Sequence, residues 1–516
     1  MGRNNIKINF KNKYYDVLYV GIWLIPFLFF ARDFFILKDI KHILNYRTLL
    51  ILYFTLKQSF ISATLAMFLG IIPGIYLSKS KGLLVKLINA SVFIPFFFPI
   101  ISTVISFSII FNSSLFSKYK ILYTLTGIVI ANVFYNVPIF VKYLGEALKN
   151  IDKSQIEAFK IESNSRLKLY YYIYFPLVKG AMQKAYFLTF SYCFTSFGII
   201  LAIGGIRFTT LEVAIATTLR GSFDFSKAFS YGILQFIILL LLNLFIHKDD
   251  EVHEGKVEVR YRKSNIFEKL YVMLYLFCEY AVVLISLVFA FYNYFDNSFS
   301  TKYFLRLFSR DFNKTYPIIK ALLNSSILGI ISSIISIGIV YIFIKNRHKY
   351  SHIFLLSSLG VSSAFLGIAL IYLNILFNIP YALLLILAYL IITVPIAYSF
   401  MYYHISHFDS SLLEASYLDG AGAFQSFIYI EFPLLKNIFF STFLQVFTII
   451  FAEFTISYTM QIGEYFPTIS LINYSLSNSK HFLESSALGG LNTGIIILIF
   501  IISQIISNKN TKNELE

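Results

Sequence analysis

Asp152-Lys153-Ser154-Gln155-Ile156-Glu157-Ala158, running on to Ile173-Tyr174-Phe175-Pro176-Leu177-Val178-Lys179, is written a second time. The second copy reads Asp409-Ser410-Ser411-Leu412-Leu413-Glu414-Ala415 and Ile430-Glu431-Phe432-Pro433-Leu434-Leu435-Lys436, 257 residues further on. Upstream, Val137-Pro138-Ile139 repeats as Val394-Pro395-Ile396; downstream, Phe190, Phe194 and Phe197 recur as Phe447, Phe451 and Phe454, all at the same offset. Each copy is a polar loop behind a long apolar segment. The chain is therefore read as two copies of one membrane module, each with a loop that carries a shared task.

Composition agrees. The 516 residues are 57% hydrophobic and 14% charged, with a mean hydropathy of +0.71, outside the range of soluble domains. About twelve apolar stretches are long enough for helices crossing a roughly 30 Å hydrocarbon layer. They fall near 17–37, 51–78, 83–111, 121–144, 181–205, 228–246, 270–294, 318–344, 351–378, 381–403, 437–462 and 488–506. None alternates with period two, so a β-barrel is disfavoured. The expected fold is all-α integral membrane, two parallel six-helix repeats.

The net charge of +16 lies in the loops, without a basic stripe interleaved with aromatics, so no nucleic-acid partner is expected. With the amino terminus inside, roughly 27 Lys and Arg fall on cytoplasmic segments against about 14 outside, which places both termini and both repeated loops in the cytoplasm. The basic start from Arg3 to Lys13 and the apolar run from Val17 have the outline of a signal peptide. The run is too long for one and lacks a small-residue cleavage site, so an uncleaved first span is expected. Cys193 and Cys278 both fall in spans, where buried apolar packing is expected rather than a disulfide or a metal site.

The organisation follows. Residues 1–50 hold the amino-terminal tail and first span, 51–245 the first membrane domain and 319–507 the second. Residues 246–318 hold a linker, the seventh span and an external segment, and 508–516 are a tail. The linker, His247 to Lys269, is dense in both signs of charge and cannot enter a bilayer.

Within the repeated loops, Ser154-x-x-Glu157 and Ser411-x-x-Glu414 have capping-box spacing, so a short helix is expected to start at each serine. Gly420 stands where the second helix would end in a left-handed turn, and Ser163 stands at that position in the first. Pro176 and Pro433 favour an extended preceding residue and a break before the next span. The spacing of 19 residues from Glu to Pro is the same in both copies, which argues that Glu157 and Glu414 do more than cap.

These residues resemble the EAA signature of binding-protein-dependent ABC importer permeases, roughly E-A-A-x3-G-x9-I-x-L-P. Glu414, Ala415, Gly420, Ile430 and Pro433 match in the second copy; Glu157, Ala158, Ile173 and Pro176 match in the first, which departs at Phe159 and Ser163. The resemblance implies a coupling helix in each loop, docked on one of two cytoplasmic ATPase subunits, and an extracytoplasmic solute-binding protein. It implies a chain that is no enzyme and binds no cofactor, with ATP and Mg used by the ATPase partners. The sequence has no G-x-x-x-x-G-K-[ST] phosphate loop, consistent with separate ATPase chains.

The substrate is less legible. Cys193-Phe194-Thr195-Ser196-Phe197-Gly198, then Gly204-Gly205, then Thr210-Leu211-Glu212-Val213-Ala214-Ile215 look most like thiamine-type and iron-type members. Thiamine is the first expectation, with ferric iron or a polyamine as alternatives. Polar residues inside spans are the pathway candidates: Glu453, Gln445 and Asn136 first, then Glu279, Asn132 and Gln235. Asn and Gln in spans also serve as interhelical glue. His404 and His407 lack a third ligand and read as interfacial polar residues. The competing class is an ion-coupled secondary transporter, which would need buried charge relays in mid-span.

Overall fold

The computed structural model describes residues 13–34, 45–92, 94–163, 165–205, 208–246, 264–346, 361–406, 408 and 410–513. The linker as far as residue 263, His407 and Asp409 lie outside them. Eight helical stretches among the described residues are long and apolar enough to cross a membrane, with shorter apolar helices at Ile100–Asn112 and Ser363–Phe377. The expected all-α membrane architecture is present; its one sheet among the described residues is the hairpin Tyr292–Asn293 with Ser298–Phe299. Several expected spans are not single rods. The stretch 83–111 is cut by Pro95 and Pro99 into Leu83–Ser91, Ile94–Phe97 and Ile100–Asn112.

The repeat survives as three-dimensional register. Helices Phe175–Phe194 and Phe432–Phe451 begin and end 257 residues apart, as do the π-helical turns Tyr170–Tyr174 and Phe427–Glu431 in front of them. This corrects the expected break at the prolines. Phe175 (φ −61°, ψ −48°) and Phe432 (φ −59°, ψ −45°) are helical, and each donates its N–H five residues back, to Tyr170 and to Phe427. The wide turn gives the pyrrolidine ring room against the preceding carbonyls, so a proline is carried without ending the helix.

Packing divides the chain into two compact units that are not consecutive in sequence. One gathers Ile36–Ile318 with Ser470–Ile496; the other gathers Met1–Phe35 with Ile319–Ile469 and Ile497–Glu516. The leading helix of each repeat thus belongs to the unit built mainly from the other repeat. In the second unit, helix Lys13–Phe34 lays its rings on Ser363–Phe377: Phe27 is 4.9 Å from Phe365, Phe34 is 5.0 Å from Tyr372, and Tyr372 donates to Asp33 at 2.6 Å. In the first unit, helix Ile266–Val288 buries Val272 and Leu276 in a cluster with Ala66, Tyr76, Leu77 and Val137. Tyr271 also donates to the Leu69 carbonyl at 3.2 Å.

The core of the first unit depends on two glycines one turn apart. A Cβ at Gly70 would lie 2.7 Å from the Phe140 Cβ, and one at Gly74 would lie 3.1 Å from Leu144. Helices Tyr46–Lys79 and Leu125–Lys149 approach closely there because small residues allow it, the main source of attraction where apolar burial gains little over lipid. Cys193 is buried as expected, whereas Cys278 is exposed on the outer face of an apolar helix, a face that lipid can cover.

Candidate functional site

The first repeated loop leaves helix Leu125–Lys149 and forms helix Lys153–Glu162. Its N-cap is Asp152, whose Oδ1 accepts from the Ser154 N–H at 3.0 Å. Ser154 is therefore inside the first turn, a correction to its expected capping role; a carboxylate two residues ahead satisfies the free N–H before the hydroxyl can. Ile156 anchors the helix, buried in a cluster with Leu144, Leu148, Ile151 and Val178. The helix stops at Ser163 in extended backbone (φ −150°, ψ 126°), its N–H returning to the Phe159 carbonyl at 2.8 Å.

The second loop ends differently. Helix Ser410–Leu418 has Ser411 already in its first turn. It closes on Gly420 at φ +83°, the left-handed residue expected there. Gly420 donates to Tyr417 at 3.1 Å and Ala421 to Ser416 at 3.0 Å, the paired bonds of a Schellman motif. Behind the turn, buried Ser416 and Ser426 hydroxyls meet at 2.8 Å.

Glu157, Ala158, Glu414 and Ala415 are all exposed, as are Pro176 and Pro433. Two apolar positions that sequence reading overlooked stand out more. Ile161 is 88% exposed and its repeat mate Leu418 89%; Leu167 is 83% exposed and its mate Phe424 74%. Large apolar side chains exposed at the same two places of two polar loops would be unfavourable in water unless something covers them. The signal was available: these positions stay apolar in both copies of a polar loop.

Each π-turn is fastened by a lysine from the end of a neighbouring helix. In the first half Lys79 lies 3.8 Å above the Tyr174 ring. In the second, Glu431 stands at the position of Tyr174, is 4% exposed, and accepts from both Lys345 and Tyr341. The same geometry is held by a cation over a ring in one half and by an ion pair in the other.

The pathway candidates separate. Asn136 is buried and tied down, donating to the Asn132 carbonyl at 2.7 Å and to Cys193 Sγ at 3.6 Å. It borders a polar network in which Asn132 donates to Gln58 at 3.0 Å, Gln58 to the Cys193 carbonyl at 2.7 Å and Ser196 to Asn132 at 3.0 Å. Such a network joins three helices. Gln235 donates to buried Glu212 at 2.5 Å, tying together helices Leu211–Ser222 and Phe225–Ile246. Glu453 is half-buried and its carboxylate accepts from the Ile456 N–H at 2.7 Å, capping the short helix Thr455–Thr459. Gln445 is half-buried and donates to Ser441 at 3.3 Å. Glu279 is buried, and its Oε2 has no hydrogen-bond partner among the described residues. Among the described residues no group of three His, Cys, Asp or Glu could hold a metal.

A helical membrane protein with two modules in one register, each exposing a short helical loop, is the class these features define. No protein-family model matches the chain. It is similar to the thiamine transport system permease protein ThiP of Haemophilus influenzae, 32% identical over 125 residues, 23% of each chain. The ThiP of Brucella abortus is 34% identical over 129 residues, 24% of this chain and 23% of that one. A probable sulfate transport system permease protein cysT from Helicosporidium sp. is 26% identical over 202 residues, 37% of this chain and 74% of its own. The alignments span about a quarter of the length of the thiamine-system relatives. These partial similarities support a resemblance to the binding-protein-dependent ABC importer permeases.

Proposed function

We propose that this chain forms the translocation pathway of an ATP-driven importer, with residues 51–245 and 319–507 as its two permeating domains. A small solute arrives on an extracytoplasmic binding protein and crosses a bacterial cytoplasmic membrane by alternating access. Two separate ATPase subunits drive it from the cytoplasmic side, where both termini lie, through the loops centred on Glu157 and Glu414. The observation that carries this reading is the repetition of exposed apolar side chains, Ile161 with Leu418 and Leu167 with Phe424, on capped helices that their own chain leaves uncovered. Each loop offers a carboxylate and two apolar contacts to a groove in a partner. The ligand-loaded binding protein and ATP then favour the same outward-open state, so their couplings reinforce one another.

Thiamine is the proposed cargo, supported by the names of the relatives with 32% and 34% identity. Ferric iron or a polyamine would use the same machinery. Gln445 and Glu453 are the half-buried polar groups retained as pathway candidates.

The test is affinity purification from native membranes, followed by identification of bound chains, ATPase assay and uptake of labelled thiamine. Glu414→Lys and Leu418→Asp should each release an ATPase and abolish ATP-driven uptake. A lone chain with no ATPase, whose uptake follows an ion gradient, would replace this reading with that of a secondary transporter.

A further inference from the structure

A large cavity within the first unit borders the first loop, with Leu167 at its edge, and extends away from it between the helices. It is an open groove of about 870 Å³ between helices Tyr46–Lys79, Leu125–Lys149 and Phe175–Phe194, beside the first π-turn. Its walls are largely apolar, Gln183 being the polar exception, with Met67, Ile71, Ile75, Leu144 and Met182 along them. Its mouth is not. Lys79 and Lys179 stand there with Tyr170, Tyr171 and Tyr174, and no acidic side chain among the described residues lines it.

From Lys79 the groove runs back to Met67, about 18 Å along the helix at about 1.5 Å per residue. That matches the depth of one leaflet, about half of a 30 Å hydrocarbon layer. Basic side chains and tyrosines at one end of such a slot are what a lipid headgroup region selects. A cationic solute would be repelled at the mouth, and a small polar anion would gain nothing from the apolar depth.

We propose that this groove is a site for an anionic phospholipid, with its phosphate on Lys79 and Lys179 and an acyl chain along Ile71, Ile75 and Met182. The inference needs these helices to cross a bilayer with the groove open to lipid, and it stands whether or not the chain is an importer. Because Lys79 also holds the π-turn through Tyr174, a bound headgroup would share the lysine that fastens the first loop.

The test is native mass spectrometry of the full chain, purified in neutral detergent and offered phosphatidylglycerol and phosphatidylcholine in equal amounts. Phosphatidylglycerol should be retained preferentially. Lys79→Gln and Lys179→Gln should each weaken that preference about fivefold, whereas Lys168→Gln, in the same loop but outside the walls, should leave it unchanged. Ile71→Trp, which fills the groove without altering charge, should expel the lipid. Equal retention of the two lipids, equal loss in Lys168→Gln, or displacement by water-soluble glycerol phosphate would each overturn the proposal.

Discussion

The two repeated loops share their register and differ in how they are fastened. The first is anchored by apolar burial of Ile156, stops in extended backbone at Ser163, and is held by a lysine over a tyrosine ring. The second is closed by a Schellman turn at Gly420, a buried pair of serines and an ion pair on Glu431. The difference shows that the fold preserves the position of the loop while the interactions that secure it differ between the halves. It also makes the second loop the more sharply terminated of the two.

The largest effect should come from the ion pair. Glu431→Ala strips Lys345 and Tyr341 of their common acceptor and should cost about 3 kcal/mol, read by denaturant unfolding in mixed micelles. Glu431→Tyr, which installs the residue of the first half, should recover more than half of that loss. If it recovers nothing, the two clamps are not exchangeable. Next comes the turn. Gly420→Ala forces a side chain into left-handed backbone and should cost about 1–2 kcal/mol, while Ser163→Ala in the first loop should stay within about 0.5 kcal/mol.

A smaller effect separates the caps. Asp152→Ala should cost about 1 kcal/mol and raise hydrogen exchange across the first turn of its helix; Ser154→Ala should leave that exchange unchanged. An equal response to both changes would restore the serine as cap. Smallest of all, Ser163→Gly should destabilise by about 0.5 kcal/mol through added freedom of the unfolded chain. A gain in stability would mean that the first loop also prefers the left-handed ending.

What the sequence made legible were features fixed locally or by repetition. The membrane class follows from composition and apolar run length, the register of the two modules from short stretches read twice, and the left-handed Gly420 from its place after the second helix. The identity of the first cap did not, because Asp152 and Ser154 both offer oxygens at the start of one helix and only backbone geometry chooses between them. The prolines misled for a related reason: Pro176 disfavours an ordinary α-helical continuation, and a π-turn is a third option that no residue type announces. The lysine clamps and the exchange of leading helices were out of reach, since Lys79 with Tyr174, or Phe27 with Phe365, are pairings set by tertiary packing. Asn136 shows the opposite limit: the sequence offers it as a pathway residue but does not announce its bonds to the Asn132 carbonyl and to Cys193 Sγ.

The two π-turns carry a genetic consequence. A wide turn is an ordinary helix with one residue added, so loss of a single codon anywhere in Tyr170–Tyr174 or Phe427–Glu431 would return the segment to regular pitch without breaking it. The helix would survive, yet everything ahead of it would swing by roughly 100° about the axis. The exposed loop would then face a different direction from its twin. In each half of this gene the aim of the loop is thus set by one inserted triplet, and an in-frame deletion of that triplet should damage activity far more than it damages folding.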